Sequence, residues 1–349
     1  MKRRGVTVLV GSLLLTLLVW QIGWVRVSYV ELGPGPTVNV LGTAEGNPVP
    51  GTAEDKPIIE VSGTETTTSA GQLLLVTVAV QPELTLLDAL RGWWDGDTAV
   101  VPREMVYPPD KTEEEVDEEN TKEFQDSQSS AETAALRALG YPVEVAVTQL
   151  SDGFPAASVL AVGDVITKVD GQDVTSVRSL VTLIRAKDAG APHEVTYRRG
   201  AETRTASVGT KQGDDGTAKI GVGVEQRQPH PFTLNIELDE IGGPSAGMMF
   251  ALGIIDMIKA EDLTGGMIIA GTGTIDDDGQ VGPIGGIPQK LVAAKRDKAV
   301  AFMTPAANCA EALANAQPDL PLVRVDSLRE ALDALTMLRA HQTPPLCTR

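Results

Sequence analysis

Apolar positions in this chain fall into three kinds of run. The first is uncharged from Gly5 to Val25, "GVTVLVGSLLLTLLVWQIGWV", and follows Lys2, Arg3 and Arg4. A run of that length crosses the roughly 30 Å apolar core of a bilayer as a helix. It ends among Trp20, Trp24 and Tyr29, residue types favoured at a membrane interface. Basic residues ahead of a span place the N-terminus in the cytoplasm. The pattern therefore predicts a single-pass anchor over residues 1–30, with everything beyond it extracytoplasmic. A cleaved signal peptide would have a shorter apolar stretch and a small-x-small cleavage site.

The second kind of run is short and continuous or alternating, as strands require. "KPIIEVSGT" and "GQLLLVTVAV" read this way, the second buried on both faces. Before them, "ELGPGPTVNVLG" cannot be helical, since Pro34 and Pro36 lack a donor and the glycines favour turns. Further on, "YPVEVAVTQL", "GDVITKVDGQDV" around an Asp-Gly turn, and the hairpin "HEVTYRRGAETRTASV" are strands. So are "KIGVGVEQ", "FTLNIELDE", "GGMIIAGTGTID" and "VAFMTPAAN".

The third kind has helical spacing. It predicts a short helix in "LTLLDALRGWWDGDTAVV" ending near Gly92, and helices over "SVRSLVTLIRAKD", the apolar stretch after Ala246, the segment from about Pro288, and "SLREALDALTML". Thr112 and Glu115 stand at capping-box spacing before an acidic, solvated helix. Ser129 and Glu132 repeat that spacing before a second helix that ends at Gly140. The alternation indicates an α/β (α+β) multidomain protein. Five segments are expected: 1–30 the anchor, 31–130 a β-rich segment with the acidic helix, 131–210 and 211–342 two further domains, and 343–349 a tail.

Composition narrows the chemistry. The net charge of −18 over 349 residues argues against a nucleic-acid partner, which requires basic faces. Two cysteines exclude zinc ribbons and disulfide-dense scaffolds. No G-x-x-x-x-G-K-[ST] loop is present to cradle a nucleotide. The carboxylates from Asp110 to Asp126 read as a solvated face, and no metal site is expected.

The stretch "GFPAASVLAVGDVITKVDGQDV" carries Gly-x-Pro-Ala and Gly-Asp-x-Ile-x-x-Val-x-Gly elements in succession. Together they resemble a PDZ domain of the bacterial type over about Ala131 to Val208. The resemblance implies binding of an extended peptide as an added strand. It would place the carboxylate-binding loop at Leu139, Gly140, Tyr141 and Pro142, residues that also read as a plain helix C-terminus.

"IGGPSAGMMF" sets Ser245 between Pro244 and Ala246 where an apolar helix begins. Ser245 can cap that helix, and it can also be a nucleophile if a base is near. The histidines are His193, His230 and His341, and G-x-S-x-G is absent, so a histidine triad has little material. Lysine is the other base, provided burial keeps it neutral. Lys290 follows "GGIPQ" in the first turn of an apolar helix, and its ordinary reading is a solvated surface lysine.

These segments together resemble the proteolytic domain of the Lon family over about Thr217 to Arg339. "PSAG" matches the nucleophile motif, "GGIPQK" the lysine motif, and "AGTGTID" the threonine strand. The resemblance implies acyl transfer by a dyad of Ser245 and Lys290 with Thr272 orienting the lysine. Gly243 and Ala246 flank the nucleophile at the oxyanion site. It implies no metal or nucleotide cofactor, and rings of six subunits. Gly242 stands where many Lon proteases have an acidic residue, and Asp239 and Glu240 lie slightly earlier.

Anchor, PDZ-like and Lon-type segments in this order resemble membrane-anchored PDZ–Lon proteins of Gram-positive bacteria, actinobacteria especially. The expected function is ATP-independent hydrolysis of unfolded or extracytoplasmic proteins. The alternative is a surface PDZ scaffold with an inert Lon-like platform. An extracytoplasmic location also permits a disulfide between Cys309 and Cys347.

Overall fold

The computed structural model of the protein describes residues 25–48, 55–213, 215–238 and 242–348, with 10–14, 16 and 20. Most of the apolar run Gly5–Val25 lies outside the described residues. Among the described residues, no helix is long and apolar enough to cross a membrane.

The chain forms two compact units, residues 1–132 with 234–349, and Thr133–Thr233. In chain order, the first unit opens with β1 (Tyr29–Asn39), β2 (Gln72–Gln81), α1 (Leu86–Trp94) and β3 (Ala99–Pro102), followed by α2 (Glu113–Ala138). The second unit holds β4 (Glu144–Leu150), β5 (Val165–Val169), α3 (Val177–Arg185), β6 (His193–Arg199), β7 (Glu202–Val208) and β8 (Val222–Arg227). The chain re-enters the first unit at Leu234, in a short strand Thr233–Ile236 paired with Ile59–Ser62, and continues through α4 (Gly247–Ile258), β9 (Ile268–Gly271) and α5 (Ile287–Arg296). It finishes with β10 (Ala301–Pro305), α6 (Cys309–Ala314), β11 (Leu322–Val325) and α7 (Leu328–Arg339).

The first unit is built on a six-stranded sheet in the order β11-β10-β9-β2-β1-β3. The run from β11 to β2 is parallel, and β1 and β3 add antiparallel. Parallel neighbours need crossovers, which α5 and α6 supply. Residues of the expected segment 31–130 therefore complete the sheet begun by the C-terminal third, and the two do not separate as the sequence pattern suggested. Strand pairing between segments distant in the chain leaves no mark in either segment's periodicity.

Two local features prepare the site. Pro34-Gly35-Pro36 sits inside β1 as a bulge, where the register against β2 shifts between Pro34 and Thr37. A turn was expected there; the bulge instead tolerates the prolines within a strand. A side chain at Gly35 would come within 2.8 Å of the Thr77 backbone, so glycine is required. The β9 ladder stops at Gly271 opposite Leu75. Beyond it no strand among the described residues pairs with that edge of β2, and Leu73–Val76 are buried whereas Ala79–Gln81 are exposed.

The acidic segment and its successor form one helix, α2, and not two. The Thr112–Glu115 capping box is made in both directions, whereas Ser129 lies inside the helix. In the second unit the sheet runs β7-β6-β5-β4-β8, with Gln172–Asp173 also paired to β5. Asp170 and Gly171, at φ 50° and 78°, make the predicted tight turn. "KIGVGVEQ", expected in segment 211–342, instead supplies β8, antiparallel to β4.

Cys309 and Cys347 are joined in a disulfide with Cα atoms 5.3 Å apart. The tail that carries Cys347 also bonds to β11, with Cys347 N–H donating to Leu322 O (2.9 Å) and Arg324 N–H to Pro345 O (3.0 Å).

Candidate active site

Ser245 sits in a single turn of 3₁₀ helix, Pro244–Ala246, that runs directly into α4. Gly243 precedes it at φ 84°, a conformation open to glycine. Several bonds fix the turn from outside. Gly243 N–H donates to Asn120 O (2.9 Å), and Gly273 N–H donates to Ser245 O (3.0 Å). Ser127 Oγ donates to Pro244 O (2.9 Å). Gly247 packs so tightly that a Cβ would lie 2.7 Å from both Ile275 and Ser127. The start of α4 carries no side-chain cap. The Ser245 hydroxyl thus does not cap its helix.

Its neighbour is Lys290. Gly286, in the left-handed region at φ 73°, turns the chain into α5, and Pro288 follows within the first turn. This places Lys290 in that turn with only 3% of its surface exposed. Lys290 Nζ lies 2.9 Å from Ser245 Oγ and 3.0 Å from Thr272 Oγ1. Burial penalises the ammonium and draws its pKa from 10.5 to about 8. Thr272 is itself fully buried and donates its hydroxyl hydrogen to Ser245 O (3.1 Å). Its lone pairs are therefore what it offers to Lys290, so an N–H of the amine points at Thr272.

The dyad opens on a cleft of about 970 Å³. Leu75, Val78 and Val80 of β2, with Leu32 of its partner β1, form one wall, and the Pro283–Gly286 loop forms another. Asn308 holds that loop. Its Oδ1 accepts from Ile284 N–H (3.0 Å) and its Nδ2 donates to Ile284 O (2.9 Å). Sequence reading missed Asn308, because "TPAAN" signals only the end of a strand. It also missed Asn120 and Ser127, whose part in holding the serine turn is invisible in a run of polar helix residues. Asp239 and Glu240 lie outside the described residues. Among the described residues no cluster of potential metal ligands occurs.

Comparison with known proteins identifies two domain families in the chain. Residues 240–337 match the family model of the Lon protease (S16) C-terminal proteolytic domain, and residues 116–210 match that of the PDZ domain. The chain joins a PDZ domain to a Lon-type proteolytic domain. No curated protein matches it. Solved structures similar to it include the PDZ domain of an SdrC-like protein from Listeria monocytogenes, at 31% identity over 23% of this chain and 85% of that one, with a TM-score of 0.22. The corresponding domain from Listeria innocua is 30% identical over 25% and 99%, with a TM-score of 0.23. A Geobacillus thermodenitrificans structure is 29% identical over 23% and 94%, with a TM-score of 0.21.

Within the PDZ unit, Leu139, Gly140 and Tyr141 end α2. Leu139 N–H, Gly140 N–H and Tyr141 N–H donate to Ala135 O, Arg137 O and Leu136 O, with Gly140 at φ 93°. Tyr141 stacks edge-on against Phe232 with centroids 5.6 Å apart. This is helix termination and packing, the plainer of the two sequence readings. The groove of the unit lies elsewhere, between α3 and the residues leading into β8. It encloses about 250 Å³ and is lined by Phe154, Leu180, Val181, Ile184, Ile220 and Val222. Among the described residues β8 is an end strand of its sheet, with no strand paired to its outer edge.

Proposed function

We propose that the protein is a serine endopeptidase in which Ser245 is the nucleophile and Lys290 its base. The observation that carries this reading is the buried Lys290 amine 2.9 Å from the Ser245 hydroxyl. A neutral amine has two N–H bonds and one lone pair. With one N–H directed at Thr272, the lone pair is oriented to take the hydroxyl proton as Ser245 Oγ attacks a peptide carbonyl. The oxyanion then draws on the N–H groups of Ser245 and Ala246 at the positive end of α4. Gly243 contributes backbone shape only, since its N–H is committed to Asn120. Collapse of the intermediate breaks the C–N bond, and Lys290 returns its proton to the leaving amine. Water, deprotonated by the same amine, hydrolyses the ester and restores Ser245.

The substrate lies in the first cleft as an extended strand beside the edge of β2 beyond Leu75, its side chains against Val78 and Val80. The PDZ groove between α3 and β8 binds a second extended segment by the same physics. The uncharged run from Gly5 to Val25 anchors the chain as a single span, and with no phosphate loop in the sequence hydrolysis proceeds without ATP. Rings of six, which the Lon resemblance implies, are tested by light scattering of the purified protein.

The test is hydrolysis of an unfolded protein by the solubilised chain without nucleotide, beside Ser245→Ala and Lys290→Ala. Wild type should cut and both variants should be inert while folded. Activity that survives either substitution would overturn the dyad.

A further inference from the structure

We propose that a second cleft beside Ser245 receives a cationic or amide-bearing flank of the substrate. The protease would then cut where an apolar stretch of polypeptide meets a basic or polar one. This rests on the serine peptidase reading above.

The second cleft encloses about 590 Å³ and includes Asp117, Asn120, Thr121, Gln125 and Gln128 of α2, opposite Glu237. It meets the first cleft at Gly242, which lines both and lies just ahead of the serine turn. A chain crossing Ser245 thus passes from walls of Leu75, Val78, Val80 and Ile284 to a wall of carboxylate, amide and hydroxyl groups. The two walls select for opposite chemistry.

The wall is fixed relative to the nucleophile. Residues 117, 120, 121, 124, 125 and 128 share one helical face. Phe124 turns inward from it and packs edge-on against Phe250 of α4, with centroids 5.8 Å apart. Asn120 O holds the Gly243 amide at 2.9 Å. Any group bound by this face is held in register with Ser245.

Charge decides what binds. Glu237 is already satisfied by Lys56 Nζ (2.8 Å) and Asn235 Nδ2 (2.9 Å). Asp117 has no ion pair among the described residues and is exposed to the cleft. The first turn of α2 also carries Glu114 and Glu115, with Glu113 already paired to Arg103. An ammonium or guanidinium gains a carboxylate partner and side-chain carbonyl acceptors here. An apolar side chain gains little, and a carboxylate is repelled.

The test uses quenched fluorescent peptides that share an apolar half and differ in the other half, which is Lys-rich, Gln-rich or Glu-rich. Each is made in both chain directions. The solubilised full chain should prefer Lys to Gln to Glu in one direction, with a Lys-to-Glu ratio in kcat/KM of roughly three- to fivefold for an exposed charge. Raising the salt to 1 M, where the screening length falls to about 3 Å, should compress that ratio. Asp117→Lys should bring it to unity or below, and Asp117→Asn should do so partly, with melting curves confirming both folds. Equal cleavage of all three peptides, or an unchanged ratio in Asp117→Lys, overturns the proposal while leaving the peptidase reading intact. Binding of the same peptides to Ser245→Ala separates the two ideas. An Asp117-dependent preference in binding, with no Ser245-dependent hydrolysis by wild type, would support the subsite and sink the peptidase reading.

Discussion

Lys290 meets two opposed demands. As a base it must be neutral near physiological pH, and burial makes it so by taxing the charged form. Its folded pKa of about 8 lies below the ordinary 10.5. Activity should therefore rise as pH passes through about 8 and then level off, measured as kcat/KM on an unfolded substrate. The same shift acts on stability. Below about pH 8 both folded and unfolded lysines are protonated and the full cost of the buried charge is felt. Between about 8 and 10.5 the unfolded state binds more protons, so that cost is progressively lifted. Lys290→Met should consequently be inactive yet more stable at pH 7, by roughly 2–3 kcal/mol, with the gain fading between about pH 8 and 10.5. Thermal melts across that range check both sign and window. Lys290→Arg should be as inactive as Met, because guanidinium does not deprotonate here. Asn308 acts at one remove, through the Ile284 loop that leads into α5. Asn308→Ala should lower kcat/KM roughly 10- to 100-fold, since small misplacement of a reacting group is costly, while Cys309 remains bonded and the protein folded.

Elements differ in how far the sequence disclosed them. The α4 and α5 starts were legible because Pro and Gly punctuate both, and Ser245, Thr272 and Lys290 stood on recognisable stretches. The tight turn at Asp170–Gly171 was legible for the same reason. What escaped reading was relational. "KIGVGVEQ" has the alternation of a strand, and nothing in it says that its partner is Glu144–Leu150. Ser129 and Glu132 have capping-box spacing, but a helix already in progress from Glu113 has no orphan N–H for Ser129 to satisfy. The polar composition of α2 suggested a solvated face, and the residues that matter most in it are its few exceptions. Phe124 is buried against Phe250, and Ser127 is bonded to the serine turn. Phe124→Ala should cost about 3–5 kcal/mol, the usual range for emptying a buried aromatic site, read as a fall in the denaturation midpoint. A solvated helix would show almost no change.

At the scale of the whole molecule, the sheet that carries the dyad is assembled from both ends of the chain, with the PDZ unit placed between them in sequence. β9 supplies the strand that leads to Thr272, and its inner neighbour is β2, paired from Gln72 to Leu75. Without residues 25–132 that edge of β9 would expose unpaired backbone, and the cleft would lose Leu75, Val78 and Val80. The serine turn would also lose Asn120 and Ser127. The far edge is secured differently, by the Cys309–Cys347 bond and the tail beside β11; reduction there should lower stability by about 2–4 kcal/mol. These two edges predict different outcomes on dissection. A fragment of residues 211–349, the segment 211–342 expected from the sequence as a domain together with its tail, should fail to fold even when oxidised. It should show no cooperative melt and no hydrolysis. Co-expression with residues 25–132 should restore both, because the missing strands and α2 can then pair in trans. Cooperative unfolding of 211–349 alone, with Ser245-dependent activity, would mean that β1, β2 and β3 merely decorate a catalytic unit complete without them.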